Sequence, residues 1–349
     1  MTRVLRIYPT ANDARHRRRD LELRRLGLEV SLVVPDAYRS TWTHTPVEPE
    51  LPHRRSRLFH KGSIPLHLWD PVALRRAVRQ FQPDIVDIHE EPYFPAGAQG
   101  VLAAAGRPVV MQTCQNIPKR LPAPIRGMRR WVFGRVSGMY PCSELSAAVL
   151  REWGFRGHVS VIPYGVEDEL FEVRPSGERI GFIGRLVPQK GVVDLLGFGR
   201  RLLCVGAGPL ADAVREAGGE VVSARSTEEL AHQLTRMAVL VAPSRTTAGL
   251  KEQFGRMAAE GMAAGVPVVA YDSGALPEII GDGGILVPEG DRTRLVEAVT
   301  SLLRDPRPLG ERGRARAWSR FRWRTVAAEM AALYRAVLSP NEPVVPGTR

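Results

Sequence analysis

Four clusters in this 349-residue chain carry side chains able to do chemistry. Gly184-Arg185 and Lys190-Gly191 set two cations five residues apart between glycines. Glycine lets a backbone approach a ligand closely, and an Arg with a Lys can neutralise a diphosphate as it departs. The alternative is a plain turn followed by a solvated helix start. Glu252 and Glu260 stand eight apart, one before and one inside an Ala-rich helical run that starts near Gly255. The N–H groups of Phe254, Gly255 and Arg256 at that helix start suit an anion. Glu260 reads either as a solvated turn of an amphipathic helix or as a ligand-binding carboxylate. His89 ends a strand; a lone histidine is more often structural, and the Glu90 and Glu91 that follow it raise the odds of a role on a substrate. Gln115 and Asn116 lie in an irregular loop over 113–124.

Other chemistries are excluded by what these clusters lack. GxxxxGK[ST] and G-x-S-x-G are absent, which argues against P-loop and α/β-hydrolase chemistry. No glycine precedes Gly27, so the first strand feeds no dinucleotide loop. Gly206-Ala-Gly-Pro209 is half such a fingerprint, and Pro209 there fits simple helix initiation. Without an Asp-x-Asp pair or His/Cys ligand spacing, no metal site is expected. Cys114, Cys142 and Cys204 are far apart and odd in number, which suits a reducing, cytoplasmic compartment.

The elements that must position these residues alternate. Strands are expected at 4–8, 28–34, 84–88, 107–112, 138–142 and 159–162, then at 179–183, 202–205, 220–222, 239–241, 266–270 and 285–287. Helices fall between them: one capped by Asn12 or Asp13 with Leu21, Leu23 and Leu26 before Gly27, then 71–81, 94–105 and 144–153. Residues 36–68 read as a loop-rich excursion. Helices at 295–303, 310–319 and 321–338 close the chain, the last with Val326, Met330, Leu333 and Val337 on one stripe. Strands alternating with crossover-length helices imply parallel doubly wound sheets in two halves, with a cleft between them.

Apolar residues make up 44% and charged residues 25% of the chain, ordinary for a globular protein, and no apolar run is long enough to span a membrane. The net charge of +12 is uneven. Residues 1–165 hold 25 Lys and Arg against 14 Asp and Glu, and the rest hold 24 against 23. A basic half of this kind suits an anionic membrane surface or anionic substrate. An Arg-rich composition explains it equally, because only four of the 49 basic residues are Lys. No nucleic-acid-binding motif is present, so nucleic acid is not expected as a partner.

Together these pieces resemble a bacterial family 4 retaining glycosyltransferase of the GT-B fold, over nearly the whole chain. The most specific part is the stretch from Lys251 to Glu260, whose Glu252 and Glu260 match the family's E-x7-E element. Gly184-Arg185 with Lys190-Gly191 matches its donor-diphosphate motif, Ile162-Pro-Tyr-Gly-Val166 its interdomain segment and His89-Glu90 its N-domain histidine region. The resemblance implies two Rossmann-like doubly wound domains facing across a cleft. The acceptor-side domain would cover 1–165, a linker 166–178 and the donor domain 179–320, with helix 321–338 packing back on the first domain and a disordered tail at 340–349.

It also implies site roles. Arg185 and Lys190 would stabilise the leaving diphosphate, Glu260 would bind the donor ribose, and Glu252 would bind the donor sugar. Gly184, Ser244, Phe254, Gly255 and Arg256 would complete the donor site. His89 would act on the acceptor side, with Gln115 and Asn116 as acceptor contacts. The donor would be a UDP- or GDP-sugar and the acceptor a hydroxyl compound, lipid-linked in some members. Neither cofactor nor metal would be needed, and the location would be cytoplasmic, peripheral to the inner membrane face. A GT-B sugar-nucleotide epimerase and a non-catalytic nucleotide-sugar-binding partner are the competing readings. Three departures stand out: the first loop, Pro9 to Asp13, lacks glycines; Gly197 and Gly199 interrupt the helix after Lys190; and Gly261 costs the helix up to about 1 kcal/mol.

Overall fold

The computed structural model describes residues 1–37, 51–60, 63 and 65–339. The expected tail at 340–349 and most of the first part of the 36–68 excursion lie outside them. The chain divides into two compact units: Met1–Cys142, Ser146–Ile162 and Arg324–Arg349 form one, Ser143–Leu145 and Pro163–Trp323 the other.

In the first unit the strands are β1 (Arg3–Ile7), β2 (Glu29–Pro35), β3 (His53–Ser56), β4 (Leu58–Phe59), β5 (Leu68–Trp69), β6 (Ile85–Ile88), β7 (Val109–Thr113), β8 (Gly138–Pro141) and β9 (His158–Val159). Seven of them make a sheet in the order β3-β2-β1-β6-β7-β8-β9, every neighbouring pair parallel. Central strands of such a sheet are covered on both faces and must be apolar almost throughout. Val4, Ile7, Ile85, Val86, Ile88 and Val110 are accordingly fully buried.

β3 falls inside what the sequence reads as loop. Its His53, Arg54 and Arg55 are exposed, so it carries no apolar signal, and charge on an edge strand also blocks pairing with other chains. A second difference concerns Asn12 and Asp13. They do not cap helix Arg18–Arg25, whose N-cap is Arg17; both are buried, Asn12 at the end of a tight turn over Pro9–Asn12 and Asp13 between it and a second turn over Ala14–His16. Helix Pro71–Phe81 follows its sequence signals closely: the Asp70 side chain accepts from the Val72 and Ala73 N–H groups, and Pro71 occupies the first turn.

The second unit has β10 (Arg179–Ile183), β11 (Leu202–Val205), β12 (Glu220–Val222), β13 (Met237–Ala242), β14 (Val268–Tyr271) and β15 (Gly284–Val287). Its parallel sheet runs β12-β11-β10-β13-β14-β15, which is the doubly wound order 3-2-1-4-5-6 counted within the unit. In both sheets the winding direction reverses once, between β1 and β6 and between β10 and β13. Loops leaving the carboxyl ends of those paired strands diverge there, which opens a ligand crevice.

Segment 166–178 is no free polar linker. It packs into the second unit through buried Leu170, Phe171 and Val173, and the Arg314 guanidinium donates to the carbonyls of Phe171 and Val173. The last helix, Trp323–Leu338, buries Val326, Met330 and Leu333. From Arg324 on it belongs to the first unit, where the Tyr334 hydroxyl donates to Asp87 at 2.8 Å.

Candidate active site

In the second unit the loops that follow β10 and β13 are stitched together. The Arg245 N–H donates to the Gln189 carbonyl at 2.9 Å. Gly191, with φ of +70°, lies so close to the β13 end that a Cβ there would sit 1.8 Å from the Pro243 carbonyl oxygen. This contact brings Lys190 to Glu252, with Nζ 2.5 Å from Oε2. The same oxygen accepts from Ser244 Oγ at 2.8 Å, and the Gly255 N–H also donates to the carboxylate. Burial opposes the charge on Glu252, yet the Lys190 ammonium, aided by these two donors, holds its pKa below the ordinary value. The backbone is fixed as well: Ala275 N–H donates to the Glu252 carbonyl, against which Gly274 packs with φ of +61°. Arg185 is exposed and forms no ion pair among the described residues, while Gly184 turns the chain away from β10.

Helix Arg256–Ala263 starts at Gly255 in the left-handed region, φ +88°. Glu260 lies on its buried side, 8% exposed, so the solvated-face reading fails. Its Oε1 accepts from Arg256 Nε at 3.0 Å, and Arg256 Nη2 reaches Glu167 Oε1 at 3.0 Å. Arg256 therefore clamps two carboxylates. The Phe254 ring is core, edge-on to Tyr164 and Phe321. The Gly255 N–H serves Glu252, a different use from the anion binding that the sequence suggested. Gly261 has a packing reason: a Cβ there would lie 2.4 Å from Leu240 Cδ2 on β13.

At the switch point of the first unit, Tyr8 and His89 follow β1 and β6. Their ring centroids are 3.8 Å apart, and the Tyr8 hydroxyl is 2.9 Å from His16 Nδ1. They line a pocket of about 170 Å³ with Thr10, Phe94, Gln112 and Thr113. Burial lowers the His89 pKa well below 6.5, and Arg6, Arg19 and His16 add to this, so the ring is neutral near pH 7. Neither adjacent glutamate partners it. Glu90 meets the buried His67 at 2.7 Å, while Glu91 accepts from Thr113 Oγ1 and from the Cys114 N–H. Gln115 uses both ends of its amide within the loop, accepting from the Tyr93 hydroxyl and donating to the Ile117 carbonyl. It thus shapes the loop from inside. Asn116 is also buried. The three cysteines are thiols, Cys142 and Cys204 buried and Cys114 half-buried. Among the described residues no group of three His, Cys, Asp or Glu is placed to hold a metal, and no helix is long and apolar enough to cross a membrane.

Residues 177–305 match the family description "Glycosyl transferases group 1" and residues 21–170 match "Glycosyltransferase Family 4". The phosphatidyl-myo-inositol mannosyltransferase of Mycobacterium leprae is 30% identical over 75% of each chain. The chain belongs to glycosyltransferase family 4.

A further relative, the MMP alpha-(1->4)-mannosyltransferase of Mycolicibacterium hassiacum, is 35% identical over 51% of this family 4 chain and 48% of its own length. The sucrose-phosphate synthase of Thermosynechococcus elongatus shares the fold, with a TM-score of 0.73 at 19% identity over 98% of this chain and 100% of its own. The two units are thus the two Rossmann-like domains of a GT-B glycosyltransferase.

Several residues of this family 4 glycosyltransferase escaped the sequence reading: the side chain of Arg256, Glu167, Tyr8, and the buried charges Arg6, Arg19 and Asp87. The last group did leave a signal. Arg6 and Asp87 each interrupt an apolar strand run, and a charge within a two-sided parallel strand must be paired.

Proposed function

We propose that this protein transfers a hexosyl group from a UDP- or GDP-sugar to a hydroxyl acceptor, with retention of anomeric configuration and without a metal. The observation that carries this reading is the Lys190–Glu252 pair at the β10/β13 switch point, at 2.5 Å, with Ser244 and the Gly255 N–H on the same carboxylate. In this reading Glu252 accepts from a donor-sugar hydroxyl and Glu260 from the ribose hydroxyls. Lys190 and Arg185 receive the diphosphate, with Gly184 and the N–H groups of Phe254 and Arg256 close by.

The bond between the anomeric carbon and the phosphate oxygen breaks, and its electron pair stays on the phosphate. Lys190 and Arg185 stabilise that growing charge. The acceptor oxygen then bonds to the anomeric carbon from the face the phosphate leaves. The acceptor proton passes to the departing phosphate oxygen. His89, neutral, hydrogen-bonds the acceptor, and Asn116 lies in the loop on that side. The mannosyl transfer named for two relatives makes mannose the first donor sugar to try. The basic first half suits peripheral contact with an anionic membrane and a lipid-linked acceptor.

The test pairs UDP- and GDP-hexoses with hydroxyl acceptors, with and without EDTA, and reads the product linkage by NMR. An α-linked product from an α-linked donor, formed equally with EDTA, supports the reading. A β-linked product overturns retention, and loss of turnover with EDTA that magnesium restores overturns metal independence.

A further inference from the structure

Beneath Tyr8 and His89 lies a layer of buried charge that the transfer reaction does not use. Arg6 on β1 and Asp87 on β6 are registered cross-strand partners, and Tyr8 and His89 stand two residues further on, just past the ends of those strands. Side chains two apart point to the same face, so Arg6/Asp87 and Tyr8/His89 are successive layers. Arg6 places its guanidinium 4.2 Å from the Tyr8 ring centroid, and Tyr8 in turn packs on His89.

The lower layer is closed from three directions. Asp87 accepts from Arg19 Nη2 at 2.8 Å, from Tyr334 on the last helix at 2.8 Å and from the Tyr140 hydroxyl. Arg6 donates to Asp20 at 2.6 Å. Arg6, Asp20, Asp87, Tyr140 and Tyr334 are each no more than 2% exposed, and Arg19 is 5% exposed. Two cations and two carboxylates make this a balanced set, in which each charge depends on the others.

We propose that Arg6, with Asp87 and the last-helix Tyr334 behind it, is a positioning layer that fixes the Tyr8–His89 ring pair and sets the electrostatic surroundings of His89. The functional consequence rests on the reading of His89 given above; the physical claim does not. The groups facing His89 are Arg6 and Tyr8 from β1, His16 from the turn that follows, Arg19 from its helix and Asp87, Glu90 and Glu91 from its own strand end. Of the carboxylates, Glu90 and Glu91 are turned to His67 and to the Thr113–Cys114 segment, and Asp87 is taken up by Arg19, Tyr140 and Tyr334, which leaves the cations to act on the imidazole. A neutral ring can donate through one nitrogen and accept through the other, which suits a sugar hydroxyl. A protonated ring can only donate.

The test is a pH titration of the histidine ring protons by NMR on the full chain, with His89 assigned by the spectrum of His89→Gln. Wild-type His89 is expected to stay neutral well past the ordinary histidine range on acidification. The double variant Arg6→Met/Asp20→Asn removes a buried pair as a unit, which cores tolerate better than an orphaned charge. It is expected to raise the His89 midpoint by about one pH unit or more. Tyr334→Phe keeps every charge and takes one donor from Asp87; it is expected to give a smaller rise and broader Tyr8 and His89 ring signals. A wild-type His89 that titrates in the ordinary range overturns the proposal. So does a midpoint unchanged in both variants. Nucleotide-sugar turnover, measured in parallel, judges the functional reading separately. Loss of turnover in His89→Gln supports a substrate role for His89. Unchanged turnover removes that role and leaves the positioning claim to the titration.

Discussion

Lys190 Nζ lies 2.5 Å from Glu252 Oε2, although 62 positions separate the two residues. Each is delivered by a loop that leaves a strand beside the reversal of sheet order, β10 for the lysine and β13 for the glutamate. Parallel pairing of those strands makes the loops neighbours, and Gly191 lets them touch.

Replacing Lys190 by Ala is expected to lower kcat by about 10²–10³-fold, the usual cost of removing one donor that stabilises a developing anion. It also leaves the Glu252 carboxylate without its ammonium partner in a largely buried place, so stability should fall by about 1–3 kcal/mol. Glu252→Gln in the same background should restore stability and leave turnover low. Steady-state kinetics and urea denaturation separate the two effects; full activity in Lys190→Ala would remove the pair from the mechanism.

Arg256 holds Glu260 and Glu167 at once, both at 3.0 Å. Arg256→Gln should raise the donor KM by about tenfold, the worth of one charge-assisted hydrogen bond, and leave kcat within about twofold. Arg256→Lys reaches only one carboxylate and should fall between. A variant that loses kcat with KM unchanged would place Arg256 on the reacting atoms instead.

Gly261 gives local and tertiary effects of opposite sign. In an isolated helix Gly261→Ala would gain about 1 kcal/mol. Here the new methyl meets Leu240 Cδ2 at 2.4 Å, and overpacking of this kind costs about 1–3 kcal/mol. A net loss on thermal unfolding is expected, and a raised Tm would show that β13 yields easily.

Acid stability carries opposed contributions with known signs. His89 has its pKa lowered in the fold, first by burial and then by Arg6, so the unfolded chain binds a proton that the folded chain refuses. Its neutral burial therefore weakens folding increasingly as pH falls below about 6.5. Glu252, lowered in the fold by Lys190 and its other donors against burial, gives stability that is present above 4.5 and lost as pH falls through its folded value. Burial raises Glu90 and Glu91, so protonating them on acidification works the other way. Comparing wild type with His89→Gln isolates the first effect: the variant should lose less stability between pH 6.5 and 5. Identical slopes would mean that His89 titrates normally in the fold.

The basic first half gives a last expectation. Vesicles containing anionic lipid should sediment the protein and neutral vesicles should not, with binding reduced by added salt. Equal sedimentation with both would leave composition as the reason for the arginines.

The sequence carried the periodic elements well. β10, β11 and β12 fall on the expected residues, because short β-branched and leucine runs bounded by glycine leave little else to form. It carried β3 poorly, since an exposed edge strand of His and Arg has no apolar face to read. Gln115 illustrates a different limit. Its type suits a ligand contact as well as a loop staple, and only the positions of Tyr93 and the Ile117 carbonyl decide for the staple.

By itself, then, the sequence determined two parallel doubly wound units and the chemical types at their strand ends: a lysine and an arginine after β10, two glutamates eight apart after β13, a histidine after β6. Alternation and spacing are local properties, and they survive in one dimension. Tertiary structure decided the pairings. Lys190 with Glu252, Arg256 between Glu167 and Glu260, and Arg6 beneath Tyr8 and His89 depend on strand order and register. Those are fixed by burying apolar faces across the whole sheet, which no short stretch of chain can specify.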